Sequence, residues 1–194
     1  MERFFNTAGP CEARRHYILP WEDRLPDIKE LIDRELYFVI HAPRQTGKTT
    51  SFRHLAEELT QSGQYAAMVS SCEQGQNLRD DVDAGVTATV EAMWSSARFF
   101  LPEELRPPKW DLESVSPQHR LREMLQRWSL ACPRPVVLFL DEIDALLDTT
   151  LLSVLRQLRA GYSERPEGFP HSMALIGLRD VRDYKLKLWP DSKS

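Results

Sequence analysis

The 194-residue chain is long enough for one α/β domain with a substantial core and a short remainder. With 42% apolar and 28% charged residues, it lies outside the compositions of disordered and membrane-embedded proteins. Its formal net charge of −4 supplies no global basic field, so nucleic acid is not expected as a partner of this chain alone.

The three cysteines, Cys11, Cys72 and Cys132, are scattered and share no metal-ligand spacing. They read as reduced thiols of a cytosolic protein, buried or half-buried. The opening residues Met1 to Asn6 lack a secretory apolar run, and the longest apolar stretches, such as Val136 to Leu140, are far too short to span a bilayer. The expected location is the cytoplasm, with no membrane contact.

In chain order, the first stretch carries Gly9-Pro10, Leu19-Pro20 and Leu25-Pro26, then a short helical run through Ile28, Leu31 and Ile32. Tyr37 to His41 is a compact β-prone run, the pattern of a fully buried strand. A turn-rich loop follows, and then a helix with Phe52, Leu55, Ala56 and Leu59 on one face, with Gly63 just past its end. Tyr65 to Ser70 reads as a second strand, and Leu78 to Leu105 as mostly helical but poorly punctuated. Pro102, Pro107 and Pro108 break that region into a loop. Pro117 opens a helix that aligns Leu121, Met124, Leu125 and Trp128. Val136 to Leu140 is the clearest strand; a helix through Leu151, Val154, Leu155 and Leu158 follows, stopped by Gly161, and Met173 to Gly177 is a fourth strand. Strands alternating with helices predict a mainly parallel sheet with helices on both faces, the three-layer α/β/α arrangement. Right-handed crossovers gather the loops after the strands along one edge, where ligands bind in such sheets.

Two motifs fall at that edge. The first is Ala42-Pro43-Arg44-Gln45-Thr46-Gly47-Lys48-Thr49-Thr50, lying between a strand and a helix. A phosphate loop needs backbone N–H groups aimed at anionic oxygens and a helix start facing the same charge. Gly47 would let the backbone approach the phosphates, Lys48 would reach the β- and γ-phosphates of ATP, and the Thr49 hydroxyl would ligate magnesium. Ala42 stands where the usual pattern has its first glycine, which matters if that position needs φ > 0. Arg44, within the loop, is either a phosphate or subunit contact or a solvated side chain. The second motif is Asp141-Glu142, two carboxylates directly after an apolar strand. Asp141 is placed to hold the magnesium and Glu142 to polarise a water for attack on the γ-phosphate. Asp-Glu after a strand also serves as an ordinary helix cap.

Together the stretches Tyr37 to Thr50, Leu138 to Ala145 and Ala174 to Asp180 resemble the AAA-like and STAND-type P-loop ATPases of prokaryotes, the branch similar to the Orc/Cdc6 initiators. The resemblance implies an additional-strand order, in which the fourth strand lies between the first and third and ends in a polar sensor. Arg179 would be that sensor, reading the γ-phosphate. It further implies a segment before the first strand that covers the adenine, a place that Tyr17-Ile18-Leu19-Pro20 fits. Arg156 and Arg159, on the helix after the acidic pair, stand where an arginine finger for a neighbour could sit. The implied organisation is an N-terminal segment over 1–36, an ATPase core over 37–180 and a tail over 181–194. In so short a tail the family's fifth strand, helical lid and second sensor are not expected. The open sheet edge is then expected to be covered by a protein partner or by self-association. The implied function is magnesium-dependent ATP hydrolysis, expected of the full-length protein and weak in this chain, with ATP and ADP as ligands. A nucleotide-operated switch with slow hydrolysis and an initiator-like DNA-binding ATPase are the alternatives.

Overall fold

The computed structural model describes residues 4, 15–17, 20–24, 26–41, 43, 46–75, 78 and 81–178. Ten principal elements follow one another: α1 (Trp21–Arg24), α2 (Ile28–Asp33), β1 (Tyr37–His41), α3 (Lys48–Gln61), β2 (Ala66–Ser71), α4 (Val82–Phe100), α5 (Pro117–Ala131), β3 (Val136–Asp141), α6 (Asp148–Gly161) and β4 (Ser172–Gly177). All three strand pairings are parallel, in the order β1-β4-β3-β2. The fourth strand is therefore inserted between the first and the third, as the resemblance implies.

Alternation along the strands divides the core in two, because successive side chains point to opposite faces. Ala67, Val69, Val137, Phe139, Ala174 and Ile176 face a layer built from α1, α2 and α3. Ala66, Met68, Val136, Leu138, Leu140 and Met173 face α4, α5 and α6. Every residue of β3 is buried, which explains why its sequence reads as one unbroken apolar run ending in a carboxylate. Strand β1 is not the fully buried strand its sequence suggests: it lies at one end of the sheet, paired on one side only, none of its residues is buried and Val39 is 40% exposed.

The poorly punctuated region resolves into a single helix, α4. Its start is marked by Asp81, whose carboxylate accepts the Ala84 N–H at 3.0 Å, and its end by Leu101, extended before Pro102. The loop that follows is tied to α5. The Arg120 guanidinium donates to the carbonyls of Leu112 and Val115 at 2.8 and 2.9 Å and pairs with Asp83, while the Trp128 indole donates to the Leu105 carbonyl at 2.8 Å. Gly161 ends α6, but with an ordinary φ of −83°. A Cβ there would lie 2.3 Å from the buried Phe169 ring, so this glycine serves close packing more than a left-handed stop.

The contact that matters most for the site is Phe52 of α3 against Phe139 of β3, with ring centroids 4.9 Å apart and both rings fully buried. It seats the helix after the phosphate loop on the strand that carries the acidic pair. Phe139→Ala is expected to lower stability by about 3–5 kcal/mol, read as a fall in the urea midpoint. A midpoint within error of the parent would show that this pair does not hold α3 in place.

Candidate nucleotide site

Strand β1 ends at His41, and α3 begins at Lys48. Ala42, Arg44 and Gln45 lie outside the described residues; Pro43, Thr46, Gly47, Lys48, Thr49 and Thr50 are within them. The turn into the helix is made by Gly47, at φ 76° and ψ 18°, a left-handed conformation that glycine adopts without a Cβ penalty. The carbonyl of Pro43 accepts both the Thr46 hydroxyl at 3.0 Å and the Lys48 ammonium at 2.8 Å, bracing the loop across its mouth. No side chain caps α3, so its first-turn N–H groups face the loop with the positive end of a 14-residue helix behind them.

The Thr49 hydroxyl hydrogen-bonds the Asp141 carboxylate through Oδ2. These residues are 92 positions apart, and the packing of α3 on β3 brings them together. Asp141 is 4% exposed, and its Oδ1 accepts the Glu142 N–H at 2.9 Å. A buried carboxylate whose partners are a neutral hydroxyl and an amide suits a hard cation, which prefers oxygen donors. The surroundings are acidic as well. The Cys72 thiol is pushed up to about 12, by burial first and then by the carboxylates of Asp141, Glu142 and Asp144. On this donor chemistry, Thr49 and Asp141 fit a magnesium ion.

Glu142 adopts φ 55°, ψ 39°, a left-handed conformation that a residue with a Cβ takes only at some cost. The bend turns its carboxylate out of the strand line to accept the Ser71 hydroxyl at 2.7 Å, and the same hydroxyl accepts the Glu73 N–H at 3.1 Å. Ser71 is level with Asp141 in the β2–β3 register. The Asp141-Glu142 pair therefore does not cap a helix in the ordinary way: its two carboxylates part, one inward to Thr49 and one toward β2.

Ser71 was invisible to motif reading, since a serine ending a strand has no signature. Only the parallel register, which sets it beside the acidic pair, could have drawn attention to it. A second unexpected neighbour is Arg24, whose guanidinium lies against Gly47. Of the other expected residues, Arg179, Ile18 and Leu19 lie outside the described residues. Tyr17 is 53% exposed, and its N–H donates to the Phe4 carbonyl at 3.1 Å. Arg156 and Arg159 are both exposed on α6, and Arg159 lines an apolar cavity of about 230 Å³ between that helix and β1. Cys72 is buried and Cys132 half-buried, both as free thiols, and Cys11 lies outside the described residues. No helix among the described residues is long and apolar enough to cross a membrane.

The family model described as "AAA domain" matches residues 32–184, a span that includes the loop, both acidic residues and all four strands. No curated protein sequence matches the chain. Among solved structures, a chain of Drosophila ORC bound to poly(dA/dT) DNA and Cdc6 is similar in fold, with a TM-score of 0.51 and 14% identity. A chain of Drosophila ORC bound to GC-rich DNA and Cdc6 is similar with a TM-score of 0.51 and 13% identity. Each match covers 88% of this chain and 26% of the other, so this chain spans about a quarter of the length of those it resembles. Bacteroides sp Pif1 in complex with ADP-AlF4 matches more distantly, with a TM-score of 0.41 and 19% identity over 88% of this chain and 36% of that one.

Proposed function

The chain belongs to the AAA domain family, as an AAA-type P-loop ATPase domain, and from that premise we propose that it binds ATP with magnesium between the ends of β1 and β3 and hydrolyses it with Glu142 as base. The observation that carries this reading is the hydrogen bond between Thr49 and buried Asp141, which joins the phosphate loop to the acidic strand end.

Each residue then has a physical task. Gly47 and the uncapped first-turn amides of α3 take phosphate oxygens, as do the loop positions Ala42, Arg44, Gln45, Thr46 and Thr50 through their backbone. Pro43, lacking an N–H, contributes its carbonyl, which holds the Lys48 ammonium until the β- and γ-phosphates offer a stronger partner. Thr49 and Asp141 hold the magnesium. That ion, when bound, supplies charge neutralisation on the phosphates. Glu142 accepts a proton from a water whose oxygen attacks the γ-phosphorus, the bond to the β-phosphate oxygen breaks, and ADP and phosphate leave. Arg179, two residues past the end of β4 and outside the described residues, is proposed to read the γ-phosphate. The DNA bound in the Drosophila ORC structures is not carried over to this chain, since likeness at 14% identity concerns the fold and the net charge is −4.

Titration calorimetry with ATP and ADP plus magnesium, on the parent and on Lys48→Ala, tests the binding. The parent is expected to bind both, and Lys48→Ala to lose at least about tenfold in affinity, as befits a charged contact to phosphate. Equal affinities, or no binding by the parent, would overturn the reading. Glu142→Gln should keep binding but slow turnover about 10²-fold or more; turnover at the parent's rate would remove Glu142 as base.

One observation favours a second reading, a nucleotide-operated switch whose slow hydrolysis resets partner contacts. The Glu142 carboxylate accepts a hydrogen bond from the Ser71 hydroxyl at 2.7 Å. If that hydrogen bond restrains the base, Ser71→Ala hydrolyses ATP faster than the parent at equal affinity. An unchanged or lower rate rules out the restraint.

A further inference from the structure

Arg24 is the last residue of α1 and lies 23 positions before Gly47 in sequence. In space they touch. A Cβ placed on Gly47 would lie 2.5 Å from Arg24 Nη1, 3.5 Å from its Cζ and 3.7 Å from its Nη2. The exposed Arg24 side chain thus lies over the loop at its glycine. Gly47 is favoured for its left-handed backbone, and its missing side chain leaves room for this approach.

Packing places Arg24 there. Trp21, one turn earlier, is 7% exposed among the apolar side chains of α2 and α3, and its indole donates to Glu58 of α3 at 2.8 Å. Helix α1 is therefore docked on the same helix whose N-terminus faces the loop, with Arg24 at the end nearer the phosphates. Among the described residues the Arg24 guanidinium is engaged by no carboxylate, although Glu22 and Asp23 share its turn. A planar fork of donors lying on a phosphate loop, with no anion of its own, matches the oxygens of a phosphate chain better than a single ammonium does.

Resting on the nucleotide reading above, we propose that Arg24 is a second phosphate-binding cation of the site, supplied by the segment before the first strand, and that it favours nucleotides with more phosphates. Lys48 approaches from within the loop as a point charge. Arg24 approaches from outside, over Gly47, and adds two parallel donors. Occupancy of the site then also holds α1 against the loop.

The test is calorimetry of ATP, ADP and AMP with magnesium, at low and high salt, on the parent, Arg24→Gln and Arg24→Lys. Arg24→Gln should weaken ATP and ADP about tenfold and AMP less, with the ATP loss shrinking at high salt. Arg24→Lys, which keeps the charge but not the fork, should recover part of the ATP affinity. An ATP affinity unchanged in Arg24→Gln, or an equal loss for all three nucleotides, would overturn the proposal while leaving the nucleotide site intact. No binding by the parent would remove the nucleotide reading and this proposal with it. Should Arg24→Gln also lower the melting temperature, Arg24→Lys decides: affinity within about threefold of the parent supports the charge role, and a loss as large as that of Arg24→Gln overturns it.

Discussion

Strand β3 is covered on both faces, and most of the site follows from that. Phe139 points to one helical layer and Leu138 and Leu140 to the other, so no residue of the strand can be polar until its end. The first polar residue, Asp141, is still 4% exposed, and its charge must find partners where the sheet stops. The Phe52–Phe139 contact brings the start of α3 to the same place, and Thr49 becomes the partner. The phosphate loop and the acidic pair meet because a two-sided core leaves them no other arrangement.

Two left-handed residues mark corners of the site, Gly47 where the loop enters α3 and Glu142 where the chain leaves β3. Gly47 makes its turn at little cost, whereas Glu142 carries a Cβ in the same region and costs on the order of 1–3 kcal/mol, which the surrounding structure sustains. The result is two carboxylates aimed in different directions from adjacent residues. Such separation is what distinct tasks require, one group holding a cation and the other handling a proton. The Cys72 thiol is raised by its burial first and then by the carboxylates of Asp141, Glu142 and Asp144.

Much of this was legible in the sequence. Two-sided burial writes itself as an unbroken apolar run in β3, and the β-prone run Tyr37 to His41 placed β1 although that strand is only partly buried, while Gly47-Lys48-Thr49 marked the loop between strand and helix. The three-layer arrangement followed from alternation, and the insertion of β4 between β1 and β3 from family resemblance. What escaped notice depends on contacts between distant segments. Helix α4 looked unpunctuated because its start rests on one hydrogen bond, from Ala84 N–H to Asp81. Gly161 looked like a helix stop, but the reason for it is the Phe169 ring across the loop. Ser71 lies 71 positions from Glu142, and Arg24 lies in a four-residue helix too short for any periodic signal.

Thr49 and Asp141 are proposed to hold together the metal that accompanies the nucleotide. Manganese(II) can replace magnesium and be followed by electron paramagnetic resonance as it is titrated into the chain with ADP present. The account predicts a bound signal from the parent and an affinity reduced about tenfold or more in both Asp141→Asn and Thr49→Val, with cooperative melting retained. Manganese bound equally well by the parent and by both variants would contradict it.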